Sequence, residues 1–376
     1  MEAETKLMRL FTDQPLHLEC GAELSPVMAA YETYGTLNED GSNAILICHA
    51  LSGDAHAGGS AVITDEILKK IPFYKTMKEG QPGWWDGMIG PGRAFDTNKY
   101  FVICSNILGS CYGTSGPADV NPQTGRLWQK DFPAVTVRDM VRVQYTLLQK
   151  LGVKKLHSIS GGSLGGMQAL EWAVMYPDFV KSIIPIATAA RHSAWAVGFN
   201  HLARQAVTND PVWENGYYKD QPARGLSLAR QIGMISYRTD ISFQRRFGRE
   251  RLDDENGYLD EANLFQSESY LNYQGEKLVN RFDANCFLAI TRAIDWHDLS
   301  QGRTSLEDVM KTITARALCI GIDTDILYPA HEQQEICQLL TNAQYHEIQS
   351  TDGHDAFLIE FGQLTEVIKP FLNSIS

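Results

Sequence analysis

A serine enclosed by glycines, Gly161-Gly162-Ser163-Leu164-Gly165-Gly166, stands between a strand-forming run at 156–160 and a helix-like run at 167–172. A serine hydroxyl is a weak nucleophile until a positioned base takes its proton and a third group orients that base. The pattern G-x-S-x-G between a strand and a helix is that of a nucleophile elbow. Its turn is tight enough to push the central residue to positive φ, and side chains beside it would collide with the strand or the helix. Ser163 is thereby lifted clear of the sheet. The N–H groups that follow it lie free at a helix N-terminus, where they suit a developing oxyanion. A glycine-rich turn whose serine only caps the helix has the same local sequence, so partners for Ser163 must be sought further along the chain.

In an elbow of this kind the acid and then the base follow the serine. The apolar run at 317–322 leads into Asp323-Thr324-Asp325, and the run at 345–348 is followed by Asp352-Gly353-His354-Asp355. His354 is the candidate base. Asp323 and Asp325 each lie just past a strand, and position alone does not choose between them. Asp352 and Asp355 flank His354 too closely in sequence to be its natural Nδ1 partner, although either could contact substrate. A second oxyanion donor is expected from the loop after an early strand, and His49-Ala50-Leu51-Ser52-Gly53-Asp54 follows the run at 44–48 directly. The backbone N–H of Leu51, paired with that of Leu164, is the candidate hole. His49 itself reads as a residue packed beside that loop.

These groups need a frame. Short apolar runs at 44–48, 100–104, 156–160, 182–187, 317–322 and 345–348 alternate with helix-period segments such as 137–151, which stops at Gly152. Continuous apolar runs of this length read as strands buried on both faces, and the alternation as an α/β fold with a mostly parallel sheet. Segments 16–20 and 27–34 read as an antiparallel start to that sheet. Between 191 and 303 no such run occurs. Helix-like stretches at 194–208, 225–236 and 283–294 are separated there by charged sequence, for example 245–260. A segment on the order of 100 residues is too long for a loop. Because the chain returns afterwards to complete the sheet, the expected organisation is a core at 1–190 and 304–376 with a helical lid, 191–303, inserted over the strands' carboxyl ends.

Composition narrows the function. The chain has 376 residues, 44% hydrophobic and 21% charged, with a net charge of −12, and no long Lys/Arg run offsets that charge to favour nucleic acid. No stretch approaches the roughly 18–20 apolar residues of a membrane span. The charged N-terminal segment lacks a signal-peptide core. Seven cysteines, an odd number without a C-x-x-C pair, indicate neither a disulfide framework nor a zinc site, and the expected compartment is the cytoplasm.

The blocks around these residues are more specific than the elbow, which alone indicates the α/β-hydrolase superfamily. His49-Ala50-Leu51-Ser52-Gly53-Asp54, Trp84-Trp85-Asp86, the run from Gly109 to Pro117, the elbow continued to Met167-Gln168, Ser269-Tyr270-Leu271-Asn272-Tyr273-Gln274-Gly275, Arg281-Phe282-Asp283-Ala284-Asn285 and Gly353-His354-Asp355-Ala356-Phe357 resemble the homoserine O-acetyltransferase family. They span nearly the whole chain. The resemblance implies an α/β-hydrolase core with a helical lid, and a homodimer. It implies Ser163 as nucleophile, His354 as base and Asp325, in place of Asp323, as the triad acid. It further implies that Arg230 and Asp355 hold the amino acid, a guanidinium for its carboxylate and a carboxylate for its ammonium. The activity expected is a ping-pong transfer of acetyl from acetyl-CoA, a co-substrate, to the L-homoserine hydroxyl, with no metal and no bound cofactor. Ser52 and Ser115 stand where Thr is common in that family and Leu164 where Met is common, which leaves the triad intact. A succinyl donor, L-serine as acceptor, and water as acceptor in an esterase or thioesterase are the alternatives.

Overall fold

The computed structural model describes residues 1–252 and 264–375. The apolar runs form six neighbouring strands of an eight-stranded sheet. Its strands are β1 (Lys6–Leu10), β2 (Val27–Tyr34), β3 (Ala44–Ile47), β4 (Phe101–Ser105), β5 (Leu156–Gly162), β6 (Ser182–Ile186), β7 (Arg316–Ile322) and β8 (Ala343–Ile348). Their spatial order is β8-β7-β6-β5-β3-β4-β2-β1. Strands β3 to β8 run parallel, and β2 runs antiparallel to both its neighbours. Every residue of β3, β5 and β6 is buried. The reason is visible in β3, where Ile45 and Ile47 enter the core on one face while Ala44 and Leu46 enter the core on the other. A strand covered on both sides has no polar face to display, so its sequence cannot alternate.

One expected strand lies elsewhere. The segment 16–20 does not join the sheet: Leu16–His17 pairs only with Glu23–Leu24, in a hairpin closed by Leu18 N–H to the Ala22 carbonyl at 2.9 Å. With β8 at one edge of the sheet, the other edge is β1, paired residue for residue with β2 from Lys6 opposite Tyr31 to Leu10 opposite Val27. Its lysine and arginine are ordinary for a sheet edge, where charge discourages further pairing. That same charge hides the strand from a search for apolar runs.

Helices bring the chain back between parallel strands. Helix α1 (Val137–Lys150) opens with a capping box between Thr136 and Asp139 and closes just before Gly152, whose φ of 87° suits glycine. Helix α2 (Leu164–Met175) leaves β5 through the elbow and is buried all along Leu164 to Ala173, hence its apolar sequence on every side. Between β6 and β7 come α3 (Ala194–Thr208), α4 (Ala223–Tyr237), α5 (Asp240–Phe247), α6 (Gln266–Val279) and α7 (Ala284–Asp295). Here α3 packs on α4 and α7, and α4 packs on α6. Of the charged stretch expected at 245–260, residues 253–260 lie outside the described residues. Among the described residues no helix is long and apolar enough to cross a membrane.

Candidate active site

Ser163 occupies the turn from β5 to α2 at φ 57° and ψ −124°. It is the residue before the first turn of α2, yet its side chain makes no capping hydrogen bond, so the hydroxyl is not consumed by the helix. Its backbone is fixed on both sides. Ser163 N–H donates to the Ile186 carbonyl at 2.9 Å, and the Thr188 hydroxyl donates to the Ser163 carbonyl at 2.7 Å. The flanking glycines answer a steric demand: a Cβ on Gly161 or on Gly165 would run into the Cys48 carbonyl oxygen at the end of β3. Strand, turn and helix approach too closely there for any side chain.

The acid and base meet at the carboxyl ends of β7 and β8. His354 Nδ1 lies 2.7 Å from Asp325 Oδ2, and both residues are 4% exposed. The other Asp325 oxygen accepts Leu327 N–H at 2.8 Å and Tyr328 N–H at 3.0 Å. Asp323, its rival in the sequence, is exposed and accepts Ser350 N–H at 3.0 Å. Burial works against a charged His354, but the Asp325 carboxylate, by charge and hydrogen bond, outweighs it and holds the imidazole pKa above its ordinary value. The turn bearing His354 seats directly on the elbow, because a Cβ on Gly162 would strike the ring of Phe357.

Leu164 is the first helical residue of α2, so its N–H has no acceptor within the helix. The Leu51 N–H is oriented indirectly. Ile107 N–H donates to His49 Nε2 at 3.2 Å, which leaves the proton on Nδ1 to donate to the Ala50 carbonyl at 2.8 Å. Gly53 N–H donates to the same carbonyl at 3.0 Å. The Ala50 C=O and the Leu51 N–H share one trans peptide plane and point oppositely, so holding the oxygen aims the N–H. Burial presses the His49 pKa down to about 4, keeping the ring neutral for this task at pH 7. His49 therefore packs beside the loop, as its position suggested, and also sets the loop's orientation.

Three buried residues tie the two amide-bearing segments together. Trp172 Nε1–H donates to Gln144 Oε1 at 2.7 Å, and Gln144 Nε2–H donates to Gln168 Oε1 at 2.7 Å. Gln168 Nε2–H then donates to the carbonyls of His49 and Leu164, each at 3.2 Å. From the turn between α6 and α7, Arg281 donates to the Ser52 carbonyl and the Tyr112 hydroxyl, each at 2.8 Å. Gln168 and Arg281 both stand in the sequence blocks quoted above, but nothing in their residue type announced a bracing role.

A cavity of about 690 Å³ opens between these loops and the inserted helices. Its wall includes Ala50, Ser52 and Gly53 from the β3 loop, Arg230 from α4, Lys277 from α6 and Phe357. Arg230 is half-buried, with its guanidinium 5.5 Å from the centroid of the Tyr237 ring. Asp355 is half-buried as well, paired with Arg238 through a 3.1 Å contact. Burial raises its carboxyl pKa, against the pull of Arg238 and Arg230. Sequence reasoning did not select Arg238, which follows α4 as an unremarkable polar residue.

The strand order, the serine elbow after β5 and the buried Asp325–His354 pair define an α/β hydrolase by fold. Consistently, the pattern of the α/β hydrolase fold family matches residues 43–361. The homoserine O-acetyltransferase of Carboxydothermus hydrogenoformans is 49% identical over 96% of this chain and 93% of its own length. The crystal structure of homoserine O-acetyltransferase from Bacillus anthracis superposes with a TM-score of 0.89 at 32% identity, covering 100% of this chain and 99% of that one. That of esterase E22 superposes with a TM-score of 0.86 at 28% identity, covering 98% and 100%. The chain belongs to the homoserine O-acetyltransferase family of acyltransferases.

Proposed function

We propose that this chain transfers acetyl from acetyl-CoA to the hydroxyl of L-homoserine, with Ser163 as the temporary carrier. The observation that carries the reading is the 2.7 Å Asp325–His354 contact beside a serine elbow, in a chain 49% identical to a homoserine O-acetyltransferase along nearly its whole length. His354 takes the Ser163 proton as the oxygen attacks the thioester carbonyl. The oxyanion so formed is held by the Leu51 and Leu164 amides, and CoA departs as the thiol with the proton returned from His354. Homoserine then enters, its carboxylate on Arg230 and its ammonium against Asp355. His354 deprotonates its hydroxyl, which attacks the acetyl-serine; the Ser163 oxygen leaves and is reprotonated, releasing O-acetyl-L-homoserine. Every proton and acyl group in this cycle is handled by residues of the chain itself.

The inserted helices, 191–303, act as a lid that shapes the cavity and favours the alcohol over water. They also carry the surface we assign to a second copy of this chain. Trp195 and Leu202 lie two turns apart on α3, as do Leu228 and Ile235 on α4, and all four are exposed. We place the protein in the cytoplasm, with its seven cysteines as free thiols.

Water as the acceptor is the second reading, favoured by the esterase among the structural neighbours. Purified protein given acetyl-CoA or succinyl-CoA, with homoserine, serine or neither, separates them. Thiol release that rises with homoserine and yields the O-acetyl product supports the transferase; release indifferent to every amino acid refutes it.

A further inference from the structure

Arg238 follows α4 directly and reaches the turn that bears His354. Its Nη1–H donates to Asp352 Oδ1 at 2.7 Å, and its Nε lies 3.1 Å from Asp355 Oδ2. The two segments are packed backbone to backbone: the Thr239 hydroxyl donates to the Thr351 carbonyl, and a Cβ on Gly353 would meet the Tyr237 carbonyl oxygen at 3.1 Å. We propose that Arg238 is a positioning residue that keeps Asp355 charged and in place for the ammonium group of the acceptor. The proposal rests on the acceptor reading given above and deepens it.

Local charge makes that position decisive. The groups facing Asp355 are Asp352 and His354 from its own turn, Asp325 from the loop after β7, and Arg230, Tyr237 and Arg238 from α4 and its end. Three carboxylates thus share a small, largely buried volume with two guanidiniums. Like charges this close disfavour joint ionisation, and burial adds to the penalty. Arg230 is the cation assigned to the acceptor's carboxylate, so in the loaded site its charge is engaged there. Arg238 is then the one left to balance Asp355. It faces the carboxylate from the side of the lid, and the acceptor must supply the second cation. An uncharged Asp355 offers an ammonium no ion pair, whereas acylation of Ser163 does not involve it.

The two half-reactions separate these roles. Arg238→Met should leave the amplitude of the first-turnover thiol burst with acetyl-CoA within about twofold of wild type. It should raise KM for L-homoserine by roughly tenfold to a hundredfold, the worth of a charge-assisted pairing. Loss of Arg238 moves the Asp355 pKa further upward, and the ammonium needs the ionised form. The acid limb of kcat/KM for homoserine should therefore shift to higher pH in Arg238→Met, and by more than any shift of the burst's own limb, which Asp355 reaches only through its charge on His354. Arg238→Lys, which restores the charge, should return most of that shift. The burst amplitude reports folding of each variant. If homoserine kinetics and their pH profile in Arg238→Met match a homoserine-dependent wild type, this proposal alone is overturned. A burst that falls in parallel with the overall rate overturns it too, since the effect then lies on His354. A wild type whose thiol release ignores homoserine at every pH sinks the acceptor assignment and this proposal together.

Discussion

Oδ2 of Asp325 lies 2.7 Å from Nδ1 of His354, while Oδ1 of the same carboxylate is taken by the N–H groups of Leu327 and Tyr328 at 2.8 and 3.0 Å. The two oxygens are thus not interchangeable: one is bound to the backbone and the other to the imidazole.

That asymmetry makes the outcome of Asp325→Asn specific. The amide must turn its oxygen to the two backbone donors and its NH2 to His354, which forces the ring proton onto Nε2, the atom that should receive the serine's proton. Turnover should fall by about 10³–10⁴-fold with little change in KM. With the carboxylate gone, burial opposes the charged imidazole with only the more weakly acting Asp355 charge to offset it, so the residual activity should show its acid limb at lower pH than wild type. A pH–rate profile of both proteins checks the two effects.

The glycines at the elbow are predicted to be irreplaceable for a steric reason. Gly165→Ala places a methyl group against the Cys48 carbonyl, backbone against backbone, where no rotamer change relieves it. The expected destabilisation is roughly 1–3 kcal/mol, with turnover lost beyond what unfolding explains. Chemical denaturation beside a thiol-release assay measures both.

Gln168→Leu tests the bridge between the two segments proposed to bear the oxyanion amides. The change leaves the carbonyls of His49 and Leu164 without that donor in a buried site, a loss of about 1–3 kcal/mol of stability. Because both amides of the hole are displaced, kcat should drop roughly tenfold or more while substrate KM values hold. A pure KM effect would count against the bridge.

The cavity wall contains a pH-dependent element. His56 Nδ1 is 3.0 Å from Glu32 Oε2, with both side chains 2% exposed. Burial opposes its charge, but the hydrogen bond and charge of Glu32 prevail and raise the His56 pKa to about 8. A folded-state pKa above the unfolded value adds stability that is complete below about pH 6.5 and is lost as pH rises through about 8. His56→Gln should therefore cost about 2 kcal/mol more at pH 6 than at pH 9, as read from denaturant midpoints.

The sequence disclosed those parts of the molecule whose physics is local. The all-apolar strands, the helix that stops at Gly152 and the strand–serine–helix elbow each follow from short-range pattern. The choice between Asp323 and Asp325 was not local. It depends on which carboxylate the turn after β7 buries beside His354, and only the family resemblance anticipated it. Strand β1 escaped notice because an edge strand carries charge, and 16–20 misled because its alternation serves a two-residue hairpin. The braces, Gln168, Gln144, Arg281 and Arg238, were invisible for a common reason. Each acts on at least one partner 24 or more residues away, and a lone glutamine or arginine within a helix or beside its end looks like solvated surface.

Ser163, in the proposed cycle, carries the acetyl group between two substrates. Intact-protein and peptide mass spectrometry after mixing with acetyl-CoA, with and without L-homoserine, follows that group itself. One acetyl group per chain should appear on the Ser163 peptide, be absent in Ser163→Ala, and be discharged by homoserine as its O-acetyl ester far faster than by water. An acetyl-enzyme that empties at the same rate with and without homoserine, or turnover that survives in Ser163→Ala, would contradict that cycle.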